Sequence, residues 1–190
     1  MQYSPDSANK YHEFAFSGVW DLPVGKGKRF GNGISSVADK VLGGWRADWT
    51  FTFISGNLIS LPGGINFCGD YVHYKDPSTG QFIKNEDHWF NNDPKCYANY
   101  PSGAINTQLP PRFSNVMNPA APQANVAIAK DTQFGEKYNL QFRAESFNVS
   151  NTVIRPGPAS TTFTNAAFGQ LSKVQQNFPR LVQLALKLFF

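Results

Sequence analysis

Two pairs of opposite charges stand two residues apart, Arg46 with Asp48 and Arg143 with Glu145. In an extended chain that spacing puts both members on one side. An arginine beside a carboxylate could take part in proton transfer, but acid–base catalysis also needs a nucleophile and an orienting group. Neither is identifiable here, so no enzyme and no catalytic residue is expected. The densest metal-capable stretch holds Cys68, Asp70, His73, Asp76, Glu86, Asp87, His88 and Cys96. No spacing among them matches a known ligand pattern, and a solvated loop surface is the expectation. Cys68 and Cys96 read as one disulfide in an oxidising compartment, with two unpaired thiols as the alternative. The basic run GKGKRFGNG at 25–33 lacks the Ser or Thr after lysine that a phosphate loop needs. Phe30 stands where a dinucleotide fingerprint has its third glycine. It reads as a solvated turn, and no cofactor is expected.

The charged pairs belong to stretches of alternating character. In Trp45–Ser55, Trp45, Ala47, Trp49, Phe51 and Phe53 share one face, while Arg46, Asp48, Thr50 and Thr52 share the other. Period two is the period of a strand. The same reading gives strands at Tyr11–Leu22, with Phe14, Phe16, Gly18 and Trp20 on one face, and at Tyr138–Ser146, with Leu140 and Phe142 opposite Arg143 and Glu145. A weaker strand spans Asn125–Thr132, with Val126 and Ile128 outward, and 133–137 is a tight turn at Gly135. The chain closes on RLVQLALKLFF, where Val182, Leu184, Leu186, Leu188 and Phe190 oppose Gln183, Ala185 and Lys187. At 34–42 the apolar spacing is helical, closed by Gly43. A bulge or strand end is expected near Phe147.

A buried core does not accept unpaired charges on every second residue, whereas a water-filled lumen does. The reading is therefore an all-β, antiparallel transmembrane β-barrel segment. Its lipid-facing residues are Phe14, Phe16, Trp20, Trp45, Trp49, Phe51, Phe53, Leu140 and Phe142; its lumen-facing residues are Arg46, Asp48, Arg143, Glu145 and Lys187. A one-sided antiparallel sheet in a soluble protein shows the same local alternation. Aromatic residues make up 15% of the 190, which suits interfacial girdles. No run nears the roughly 20 apolar residues of a spanning helix. The net charge of +4, from 17 basic and 13 acidic residues, is scattered, so no nucleic-acid partner is expected.

Residues 56–122 are irregular and proline-punctuated, and 152–179 form a second long loop. With the C-terminus periplasmic, five strands place both long loops outside the cell and the 133–137 turn inside, as barrels have them. The long 23–44 connection then falls on the periplasmic side and is the one misfit. Five strands do not close a barrel, so the chain is either a fragment or completed by an oligomer; no secretion signal follows Met1, and a fragment with further chain upstream is the expectation.

In order along the chain, FAFSGVWDLPVGKGKRF, VLGGWRADWTFTFISG, WFNN, RFSNVMNPAAPQANVAIAKDTQF, YNLQFRAESFNVSNT, AAFGQLSKVQQNFPR and VQLALKLFF resemble the C-terminal end of TonB-dependent outer-membrane transporters. The resemblance is to the Oar-like subgroup that carries a carboxypeptidase-regulatory-like domain, and it covers nearly all of 1–190. The loop with Cys68 and Cys96 departs from that pattern. The resemblance implies a plug domain and upstream strands before residue 1, and uptake of an unidentified ligand coupled to the TonB complex. Val182, Leu184, Leu186, Leu188 and Phe190 resemble the signal read by the barrel-assembly machinery. The other partners implied are outer-membrane lipid and the ligand. The competing readings are a structural or adhesive outer-membrane barrel and a soluble β-rich binding module.

Overall fold

A computed structural model describes residues 6, 8, 10–61, 65–66, 68–99 and 112–190. The expected N-terminal loop at 1–10 and the proline-rich part of the irregular stretch lie largely outside these residues. In chain order the elements are β1 (Glu13–Asp21), α1 (Ser36–Leu42), β2 (Trp45–Ile54) and the short strands β3 (Leu58–Ser60), β4 (Ile65–Asn66), β5 (Tyr74–Lys75), β6 (Phe82–Ile83), β7 (Tyr97–Ala98) and β8 (Arg112–Met117). The long strands β9 (Ala121–Phe134), β10 (Tyr138–Phe147) and β11 (Leu181–Phe189) follow. The chain divides into two compact units.

One unit comprises residues 14–53, 122–152 and 178–190. It is a five-stranded sheet in the order β1-β2-β9-β10-β11, the five strands that alternation marks. β10 pairs antiparallel with β9 and with β11. Strand β9 starts earlier than the expected 125, because Pro122 does not end it. That proline sits before Val126–Phe134, the part paired with β10, where a missing N–H removes no bond to β10. Gly135 takes a positive φ of 64° in the tight turn to β10, a conformation that favours glycine.

The chain leaves β10 through two asparagines. Asn148 and Asn151 hold positive φ angles of 50° and 53°, which asparagine tolerates better than other side-chain-bearing residues. The buried Asn148 amide donates to the carbonyls of Thr152 and Phe178, each at 3.0 Å, and its Oδ1 accepts from Thr152 N at 2.9 Å. Asn151 Oδ1 accepts from Arg180 N at 3.1 Å. Together they fix the exit of β10 beside the entry of β11, which sets Phe147 opposite Leu181.

The other unit comprises residues 1–13, 54–121 and 153–177, and here the structure corrects the sequence reading. The stretch expected to be irregular pairs β3 with β8, β4 with β7 and β5 with β6. Its centre is apolar: Ile59, Leu61, Phe90, Val116 and Phe168 form a buried cluster flanked by Tyr71, Trp89, Tyr97 and Phe113. The second loop supplies Phe168, and its Arg155 pairs with both carboxylate oxygens of Glu86 at 3.0 and 3.1 Å. Cys68 and Cys96 are bonded, with their Cα atoms 5.2 Å apart. The two long connections are one co-folded body, not two solvated loops.

Candidate functional site

Register settles which sheet residues share a face. Leu140, Phe142 and Ala144 stand opposite Leu188, Leu186 and Leu184, and Ala144 stands opposite Ile128. On β1 and β2, Phe14, Phe16, Trp49 and Phe51 form one ring cluster with centroids 6.2–6.4 Å apart. Gly18 belongs to that row: a Cβ there would lie 2.3 Å from the Trp49 indole. The row is open on its outer side, with Leu186 66% exposed and Trp20 55%. Exposed apolar surface this continuous needs an apolar partner. Phe190 follows the end of β11.

The opposite face carries the charges. Arg143 Nε lies 2.6 Å from Glu145 Oε1, and its Nη1 lies 3.4 Å from Asp48 Oδ2. Arg46 Nε approaches Asp48 Oδ1 at 3.2 Å as an ion pair without hydrogen-bond alignment. Gln141 donates to Asp131 Oδ1 at 3.0 Å, and Lys187 is registered opposite Gln141. Strand β9 lies between β2 and β10, yet Arg143 reaches across it. Ala129 explains this: it is registered opposite Arg143 and is fully buried. A methyl group leaves room for the guanidinium to lie over the strand. The substitution Ala129→Leu is expected to push Arg143 off Asp48 at a cost of about 1–3 kcal/mol. A double-mutant cycle of Asp48→Asn with Arg143→Gln should show coupling in the parent and none once Ala129→Leu is introduced.

In the other unit a cleft of about 630 Å³ is lined by Asp70, His73, Asp76, Phe82, Asn91 and Asp93, with the disulfide in its wall. Short turns place the carboxylates. Asp70 Oδ1 accepts from the backbone N–H of Val72 and His73 at 2.7 and 3.0 Å, and Oδ2 meets His73 Nδ1 at 2.9 Å. Asp76 accepts from Ser78 N and Oγ and from Thr79 Oγ1. The His73 ring lies 5.2 Å from Phe82. The buried Asn91 holds the floor by donating to Asp70 O at 2.6 Å. His88, one of the metal-capable candidates, stacks on Tyr74 at 3.7 Å and pairs with Asn92. Among the described residues no three His, Cys, Asp or Glu side chains form a group able to hold a metal ion. The cleft combines carboxylates and Lys75 with an aromatic wall, a mixed polar and apolar lining that suits a small amphipathic ligand.

These carboxylates are expected to give the unit a dependence on acid. Burial alone would raise Asp70, but the Val72 and His73 hydrogen bonds and the His73 charge outweigh it and hold its pKa below the ordinary aspartate value. Hydrogen bonds from Ser78, then Thr79, hold exposed Asp76 below that value as well. A lowered native pKa contributes stability that is complete above the unfolded value and is lost as pH falls through the native one. The unit is therefore expected to hold its near-UV circular dichroism from neutral pH to about 4 and to weaken below it. Asp70→Asn with Asp76→Asn should flatten that dependence.

The sequence reading missed Ala129, Asn148 and Asn91. Alanine carries no signal of its own, Asn148 shows only as a break in alternation, and Asn91 lies in a stretch with no period to break. Compared with known proteins, residues 1–183 match the family model described as an outer membrane beta barrel domain. No curated protein and no solved structure matches the chain.

Proposed function

Because the chain belongs to the outer membrane beta barrel domain family, and its sheet is accordingly a piece of bacterial outer-membrane barrel, we propose that it serves an energy-coupled, TonB-dependent transporter. On this reading Phe14, Trp49, Phe142 and Leu186 touch lipid, and Arg46, Asp48, Arg143, Glu145 and Lys187 line the wet interior. Five strands fall short of the roughly eight of the smallest bacterial barrels, so further strands complete the wall. The apolar row of β11 with Phe190 offers the assembly machinery an edge for strand addition.

The observation that carries the transport reading is the disulfide-braced body built by the two long connections, with its cleft of about 630 Å³. A purely structural barrel has no use for a shaped pocket among its outer loops, whereas a receptor needs one. Energy coupling rests on the ordered sequence resemblance. Affinity capture of the tagged full-length protein from outer membranes tests it. Co-purification of TonB is the expected result. An intact barrel that never captures TonB, beside a known coupled transporter that does, would point to a structural or adhesive role instead.

A further inference from the structure

The connection between β1 and β2 runs from Leu22 to Gly44, and Asp131 N donates to Gly44 O at 3.3 Å, at the end of the sheet that also carries the tight turn between β9 and β10. Barrels keep short turns at that periplasmic end, so a connection this long, with a helix in it, needs an account of its own. The helix α1 is capped by Ser35, whose Oγ accepts from Ala38 N at 3.2 Å, and closed by Gly43 N donating to Asp39 O at 2.8 Å.

Three contacts place α1 on the aromatic side of the sheet. Trp45 Nε1 donates to Val41 O at 3.2 Å, Lys40 Nζ lies 5.2 Å above the Phe134 ring, and Lys130 Nζ donates to Gly43 O. Lys130 is registered opposite Phe142 and Phe134 opposite Tyr138, so both belong to the face of Phe142 and Leu186. The helix has no buried residue, and its Asp39 is drawn toward the protein, where Oδ1 accepts from Lys26 N at 2.6 Å. Its apolar side faces out, with Val37 76% exposed, Val41 63% and Leu42 51%. Next to it, exposed Lys26, Lys28 and Arg29 lead into an exposed Phe30, with Arg29 lying 5.5 Å over its ring.

A helix that leaves Val37, Val41 and Leu42 uncovered beside an exposed apolar row has the partner of those side chains outside the chain. The row it continues already meets lipid, and the adjacent cations complement phosphate. We propose that α1 and the 25–30 turn form an interfacial anchor in the periplasmic leaflet. Val37, Val41 and Leu42 enter the boundary between headgroups and acyl chains, and Lys26, Lys28 and Arg29 rest on phospholipid phosphates. Bringing an apolar helix face into that boundary is favourable in proportion to its area, and each cation adds to it when the lipid is anionic. The anchor accounts for the length of the connection and fixes the depth of the rim. It rests on the barrel reading and not on transport.

The test uses the complete protein assembled in vesicles of phosphatidylethanolamine and phosphatidylglycerol. Both native cysteines are tied in the disulfide, so a fluorophore can be placed on Val37→Cys and, as a control, on Leu186→Cys. Nitroxide lipids labelled near the headgroup should quench the Val37 site severalfold more than lipids labelled deep in the chain. The Leu186 site should be quenched by lipid in every preparation that has assembled. Quenching of the Val37 site by aqueous iodide but not by lipid, with Leu186 still lipid-quenched, overturns the anchor and spares the barrel. Lipid quenching at neither site overturns both. The combined substitution Lys26→Gln, Lys28→Gln and Arg29→Gln should weaken shallow quenching at Val37 severalfold; unchanged quenching would overturn the phosphate contact.

Discussion

Phe90→Ala is expected to cost the loop unit about 3–5 kcal/mol, the range for removing a fully buried aromatic ring. Phe90 is 1% exposed and meets Phe168 edge-on at 5.2 Å. Around it stand Ile59, Leu61 and Val116. These side chains come from segments far apart in sequence, so none can close over the cavity by a local shift. The short strand pairs of this unit add little of their own, since isolated two-stranded ladders are marginal in water. Against a typical domain stability of about 5–15 kcal/mol, such a loss removes much of the margin. Amide exchange across β3 and β8 should accelerate accordingly. Phe82→Ala is the control, because Phe82 is 67% exposed at the cleft, and surface changes usually stay within about 0.5 kcal/mol. Equal costs at the two positions would refute the core.

Removing the disulfide by Cys68→Ser with Cys96→Ser is the second large effect. The bond closes a loop of sequence separation 28. In the chain-entropy model a loop of that size contributes about 3–4 kcal/mol, by restricting the unfolded chain. The bond is also part of the cleft wall, so the serine variant should lose cleft shape as well as stability. Reductant should bring the parent protein to the denaturation midpoint of the serine variant and leave the variant unmoved. A parent midpoint indifferent to reductant would mean that the bond constrains nothing.

The sheet was legible in the sequence because a strand with two unlike faces changes character at every second residue. Trp45–Ile54 needs no partner to be recognised, but alternation gives only its facing and leaves its register open. The helix at Ser36–Leu42 was legible from Val37, Val41 and Leu42 at helical spacing, but its orientation was not. Spacing reports that a face is apolar and is silent on what that face meets. The loop unit was illegible for a different reason. Ile59, Phe90, Val116 and Phe168 are buried by long-range packing of turns and strands too short to show a period. Prolines and glycines then made a folded body read as an irregular stretch. Asn148 and Ala129 act through tertiary context alone, one by accepting a left-handed conformation and the other by being small beneath Arg143.

On the proposed reading the sheet is divided in one way, ring-bearing positions toward hydrocarbon and charged positions toward water. The direct measurement is a cysteine scan of Arg46 through Phe53 in the assembled protein, each site probed by a membrane-impermeant thiol reagent and by a lipid-confined quencher. Strict alternation is expected: positions 46, 48, 50 and 52 react from water, and 47, 49, 51 and 53 answer only to lipid. Alternation of the opposite sense, or water reactivity at every position, would contradict that reading.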